Sequence, residues 1–163
     1  MTEQSEGTVD GGAAAAQAGA LKKADLGKRI PAALIDGILA FVVGFIPFIG
    51  GLIGTAYWCV RDGLEIDFMD KRSIGKKVMK LRPVTLDGSP MDIMVSIKRN
   101  WMFALSGIAQ VLAYTIIGLI IAIPLALVVF LLVILEVVLV ITDDEGRRLG
   151  DKIANTMVIE VDD

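Results

Sequence analysis

The sequence predicts an all-α integral membrane protein, four transmembrane helices arranged as two hairpins with a small cytoplasmic β pairing. Three observations carry that expectation. The 163 residues are 55% hydrophobic, with a mean hydropathy of +0.68. The apolar residues gather into two blocks, Ile30 to Val60 and Trp101 to Thr142, that contain no Lys or Arg and only two acids, Asp36 and Glu136. All 16 basic residues lie outside these blocks, four before the first, nine between them and three after the second. An ordinary soluble domain and a disordered chain are both excluded by that pattern.

Composition removes several function classes as well. One cysteine, Cys59, and no histidine leave no disulfide framework, no Cys/His zinc site and no Ser-His-Asp or Cys-His pair. No metal, cofactor or enzymatic chemistry is expected. A net charge of −3 and a pI near 5.0 argue against a nucleic-acid partner.

Residues 1–20 are acidic and then Gly/Ala-rich, with little to bury, and read as a disordered tail. They do not read as a secretory signal, because acids precede the apolar run where a basic segment is needed. The membrane domain is expected over 21–163. A bilayer core about 30 Å thick takes about 20 helical residues. The second block is long enough for two crossings, with Pro124 placed to break the helix. The first is long for one and short for two, with a plausible turn at Phe45 to Gly51. Lys and Arg accumulate in cytoplasmic loops near membrane segments, and their placement makes all three flanks cytoplasmic. Each block must then leave and return on one side. Helices are expected near 30–46, 49–62, 102–122 and 125–142, around a cytoplasmic loop over 63–101, in a plasma membrane with both termini inside.

Within that loop, Val78 to Leu86 has a strand-like alternation, and Thr156 to Val161 is rich in β-branched residues, so the two are expected to pair. Ser89-Pro90-Met91-Asp92 reads as a helix start with Ser89 as the cap. The helix after it carries Ile93, Met94 and Ile97 and ends in Lys98-Arg99, as expected of a segment lying on the inner membrane surface. Tyr57, Trp58 and Trp101 fall at borders where aromatic rings anchor. Gly50, Gly51 and Gly54 mark close helix packing or a turn.

Three clusters then line up in order: Leu26-Gly27-Lys28-Arg29-Ile30-Pro31-Ala32-Ala33-Leu34-Ile35-Asp36, Arg72-Ser73-Ile74-Gly75-Lys76-Lys77-Val78, and Arg147-Arg148-Leu149-Gly150-Asp151-Lys152 with Thr156 beyond. In these the chain resembles the RDD family of membrane proteins, named for one arginine and two aspartates, over all but the tail. The resemblance implies that Arg29, Asp36 and Asp151 are those three residues, and that Ser73, Gly75, Lys76, Arg99, Asn100, Arg148 and Thr156 belong to the pattern. Two positions depart from it, Gly150 where His is usual and Asn155 where Gly is usual. For activity, the resemblance implies at most transport of ions or other small ligands.

An acid inside an apolar helix costs about 2.5 to 3.5 kcal/mol at its centre, so Asp36 is a candidate ion- or proton-binding group with Arg29 tuning it. The competing reading is structural, with Asp36 paired to Arg29 or a hydroxyl. Glu136 lies as far before the end of the last apolar helix as Asp36 lies after the start of the first. If those helices touch, the two carboxylates could hold one cation or share one proton; otherwise Glu136 faces a headgroup alone. A transport path through four short helices would need a homo-oligomer. The alternative function is a non-transporting module that binds anionic lipid or a partner protein through the basic loop, with Lys76, Lys77 and Lys80, beside Lys71, Arg72 and Arg82, as the lipid-binding candidates.

Overall fold

The computed structural model describes residues 23–46 and 49–162, so the tail expected over residues 1–20 and the Pro47-Phe48 part of the expected turn lie outside the described residues. The chain is mostly helical with one two-stranded antiparallel sheet. In order it runs α1 (Leu26–Gly44), α2 (Gly50–Val60), α3 (Ile74–Val78), β1 (Leu81–Thr85), α4 (Ile93–Arg99), α5 (Trp101–Leu112), α6 (Ile116–Thr142), α7 (Leu149–Ile153) and β2 (Thr156–Glu160). α1 packs on α2 and α3, α2 on α5, α5 on α6, and α4 on α7.

Four crossings are not what the helix lengths give. Among the described residues, α6 is the one helix long and apolar enough to span a bilayer, with 27 residues and a mean hydropathy of 3.2. α2 and α5 have 11 and 12 residues, about 17 and 18 Å at 1.5 Å per residue, well short of a 30 Å core. α1 is longer, at 19 residues, but carries Lys28, Arg29 and Asp36.

The second hairpin turns nine residues earlier than Pro124. Pro124 sits inside α6, where the loss of one backbone N–H does not end the helix. The reversal is made at Ala113 to Thr115 instead. Thr115 caps α6 by accepting from Gly118 N at 3.0 Å, and Gly118 lies so close to the Leu112 carbonyl that a Cβ there would overlap it. The first hairpin turns after Gly44 as the sequence predicts. Gly50 backs onto the Val43 carbonyl, Gly51 onto the Gln110 side chain, and Gly107 onto Thr55, so the glycines serve close helix packing.

The β pairing forms in the expected place, with Leu81 opposite Glu160 and Thr85 opposite Thr156. β1 alternates buried and half-buried positions, as one covered face requires. Leu81 and Val158 join Ala24 and Ala32 in a small core, tying the sheet to the start of α1. Asn155, just after α7, has φ 51°, the left-handed region. Glycine or asparagine suits that position, which accounts for the departure from the family pattern there.

Ser89 does not cap α4. Its N–H donates to Asp87 Oδ1 and its carbonyl accepts from the Thr85 hydroxyl, which commits it to the turn, and Asp92 caps instead by accepting from Val95 N at 2.7 Å. α4 leaves Ile93, Met94 and Ile97 exposed.

The position of the reversal gives a direct test. Pro124→Ala should raise the unfolding midpoint in detergent, because an interior helix position prefers alanine. Gly118→Leu should lower stability by about 1 to 3 kcal/mol by forcing α5 and α6 apart.

Candidate functional site

Charged residues should be scarce inside so apolar a chain, yet its most buried side chains include Arg72, Arg99, Asn100, Asp36, Asp62 and Asp151. They lie where the ends of α1, α2 and α6 meet α3, α4 and α7. Buried charges persist only when paired: Arg72 pairs with Asp70, and Asp36, Asp62 and Asp151 anchor a series of ion pairs in which Asn100 takes part by a hydrogen bond.

Asp36 is the first link. Its Oδ2 accepts from Arg61 Nη1 at 2.6 Å, and its Oδ1 accepts from Gly75 N at 2.8 Å and, at 3.5 Å, from the Tyr57 hydroxyl. Gly75 can donate there because it lies against the Ala32 carbonyl, one turn before Asp36, where a Cβ would overlap. Arg29 is not its partner: Arg29 Nη1 donates to Gly146 O at 2.5 Å and its Nη2 to Val158 O at 3.2 Å. The reason is direction, since Arg29 points toward the C-terminal segment that packs at the start of α1. Tyr57, expected as a membrane anchor, is a hydrogen-bonding member of the site.

Asp62 is the second link. Lys76 Nζ donates to its Oδ1 at 2.5 Å, Arg99 Nε lies 3.6 Å from its Oδ2, and Asn100 Nδ2 donates to that oxygen at 3.4 Å. Its backbone N–H donates to Ser96 Oγ, whose own hydroxyl donates to Cys59 O, which locks α4 onto the end of α2. Asp151 is the third link, 2.8 Å from Arg99 Nε and 3.3 Å from Arg148 Nη2. Arg148 also lies 3.6 Å from Glu136 Oε2, and Glu136 Oε1 accepts from Gly150 N at 3.1 Å. Gly150, where histidine is usual, rests against the Arg99 carbonyl too closely for a Cβ. Thr156 Oγ1 donates to Asp151 O.

Burial alone would push Asp151 up, but Arg99 and Arg148 hold it at about 2. Burial opposes ionisation of Asp62 too, and Lys76, Arg99 and Arg61 hold it well below the usual carboxylate range. Burial pushes Lys76 down to about 7; Asp62 favours its charge, while Arg61, Arg99 and Arg148 oppose it. The directions agree, because in a cation-rich cluster the acids stay ionised and the lysine is the base that yields.

Asp36 and Glu136 do not pair with each other; each faces its own guanidinium. Both line one cavity of about 340 Å³ between α1 and α6. Its walls are apolar, among them Ile30, Ala33, Val137 and Ile141, while Arg29, Arg61, Lys76, Arg99 and Arg148 also line it. Trp58 stands at its side with Arg61 3.8 Å over the ring and Phe103 at 4.5 Å. Of the lipid-binding candidates, Lys76 is buried in the ionic chain, Lys77 is half-buried 5.9 Å from the Phe68 ring, and Lys80 is exposed. No group of three or more His, Cys, Asp or Glu side chains able to hold a metal ion occurs among the described residues.

Sequence reasoning missed Arg61, Asp62 and Ser96. The available signal was an Arg-Asp pair directly after the first apolar block, where charges end a membrane segment and also meet the loop that follows.

Removing one partner of a buried pair strands the others. Asp62→Asn should cost about 3 to 5 kcal/mol in chemical unfolding in micelles. For Lys76 the sign follows from its lowered folded value: the unfolded chain, near 10.5, holds the proton more tightly. Stability should then rise as pH climbs from about 7 toward 10.5, and the difference between wild type and Lys76→Met should carry that slope.

No curated protein and no solved structure matches the chain. The RDD family model matches residues 48–155, which takes in the central and C-terminal motifs but begins after Arg29 and Asp36. With the ionic chain built from those motifs, the protein belongs to the RDD family.

Proposed function

We propose that this protein is a multi-pass module of the plasma membrane, with both termini cytoplasmic, that binds anionic lipid. The observation that carries the reading is the cavity between α1 and α6, apolar along its walls and lined by five cationic side chains. Anionic headgroups collect on the cytoplasmic leaflet, and basic groups near it are worth about 1 kcal/mol each. The exposed apolar faces of α1 and α6 and the confinement of Lys and Arg to the flanks support the membrane placement. α1 with the short helices α2 and α5 completes the two hairpins, the short ones as partly re-entrant segments or through local thinning of the bilayer. The exposed Ile93, Met94 and Ile97 of α4 lie along the inner surface. Catalysis has no part in this reading.

A second reading, ion passage, draws on Asp36 and Glu136 lining the same cavity. A cation or proton would have to compete with Arg61 for Asp36 and with Arg148 for Glu136, and a homo-oligomer would have to complete the path.

Lipid preference separates the readings. Phosphatidylglycerol added to phosphatidylcholine micelles should raise the unfolding midpoint, by about 2.7 kcal/mol at a hundredfold excess over the dissociation constant. Neutralising Lys77 and Lys80 should leave most of that gain. Equal stabilisation by both lipids, together with proton or cation flux in liposomes that Asp36→Asn abolishes, would favour ion passage instead.

A further inference from the structure

The cavity says more about its ligand than that it is anionic. Five cations line it, and the carboxylates that line or face them are Asp36, Glu136, Asp62 and Asp151. With Lys76 protonated, one positive charge is left over. Among the described residues, the lining cation with no carboxylate within ion-pair distance is Arg29, which donates to the Gly146 and Val158 carbonyls; deeper in, Arg99 is 1% exposed and lines the cavity, and although its Nε faces Asp151 its Nη1 has no hydrogen-bond partner. A buried guanidinium nitrogen without an acceptor costs free energy that an anionic oxygen would recover. Arg61 Nε is buried and unpartnered in the same way.

The remaining wall is apolar and opens sideways. Ile30 and Ile141 are 60% and 63% exposed, and with Ala33 and Val137 they rim the gap between α1 and α6, two helices that pack on other elements. In the reading above, that gap faces hydrocarbon. A volume of about 340 Å³ is at the small end of small-molecule sites, which run from roughly 300 to 1,000 Å³.

We infer that the cavity is a binding site for a single-chain, monoanionic amphiphile, whose charged group meets Arg99 and Arg61 and whose acyl chain lies between α1 and α6. Fatty acids and anionic lysophospholipids share that chemistry. The inference rests on the lipid-binding reading and narrows it from anionic lipid in general to one chain with one charge.

Trp58 lines the cavity and reports directly on a chain within it. Trp101 is the other tryptophan, so a Trp101→Phe background isolates the signal. The protein in phosphatidylcholine nanodiscs is titrated with brominated probes that quench tryptophan on contact. A brominated fatty acid and a brominated lysophosphatidylglycerol should each quench saturably at one per chain. The brominated fatty alcohol and lysophosphatidylcholine should bind about tenfold or more weakly, as expected for losing a charge-assisted contact. Acetate at millimolar concentration should not displace the fatty acid. Ala33→Phe, which fills the rim without touching the ionic chain, should weaken the fatty acid about tenfold while helical content and unfolding midpoint hold.

Quenching by the alcohol equal to that by the acid, displacement by acetate, or no effect of Ala33→Phe would each overturn the inference. Quenching by a brominated two-chain phosphatidylglycerol with none by the single-chain anions would overturn it and leave the lipid-binding reading standing. Quenching by no anionic lipid at all would remove both.

Discussion

Asp62 holds the most consequential position in the molecule. Its carboxylate meets Lys76 from α3, Arg99 from α4 and Asn100 just after it, and its backbone binds Ser96, so the end of the first apolar block is fixed to α3 and α4 at once. Arg99 then passes the constraint to Asp151 on α7, and Arg148 passes it to Glu136 on α6. Apolar packing holds helices to each other in this chain, but it specifies little about register, because lipid is as apolar as a leucine side chain. Ion pairs with no water to replace them do specify register. The small sheet closes the arrangement by joining the loop after α3 to the segment after α7.

Much of this was legible in the residues. Block hydropathy located the two apolar regions but not the break between α5 and α6, and β-branched alternation located the sheet, because both are local patterns. The motif residues Ser73, Gly75, Lys76, Arg99, Asn100, Asp151 and Thr156 all lie within the buried site. What was not legible is partner choice. Asp36 and Arg29 are two turns apart on one helix, and sequence spacing favours them as a pair, yet Asp36 is reached by Arg61 from a neighbouring helix. Pro124 misleads for a related reason: a proline ends a helix readily in water, whereas a continuous apolar segment in lipid gains from keeping its remaining backbone bonds. Thr115 and Gly118 mark the true reversal, and neither stands out in so apolar a stretch.

The two departures from the family pattern acquire physical meanings. Asn155 tolerates a left-handed backbone that glycine would also take, so the turn into β2 is kept. Gly150 lacks the Cβ that would meet the Arg99 carbonyl, so α7 packs closely there while the Gly150 N–H donates to Glu136. Any role that depends on an imidazole is absent at this position.

Buried ion pairs, and not apolar packing alone, join the motifs. A double-mutant cycle on Arg99 and Asp151 tests it most directly, using Arg99→Met, Asp151→Leu and the pair together, with unfolding free energies measured in micelles. Each single variant should be strongly destabilised by the charge it strands, and the double variant should recover much of the loss, a coupling above about 1.5 kcal/mol. Additive losses with no coupling would contradict the account.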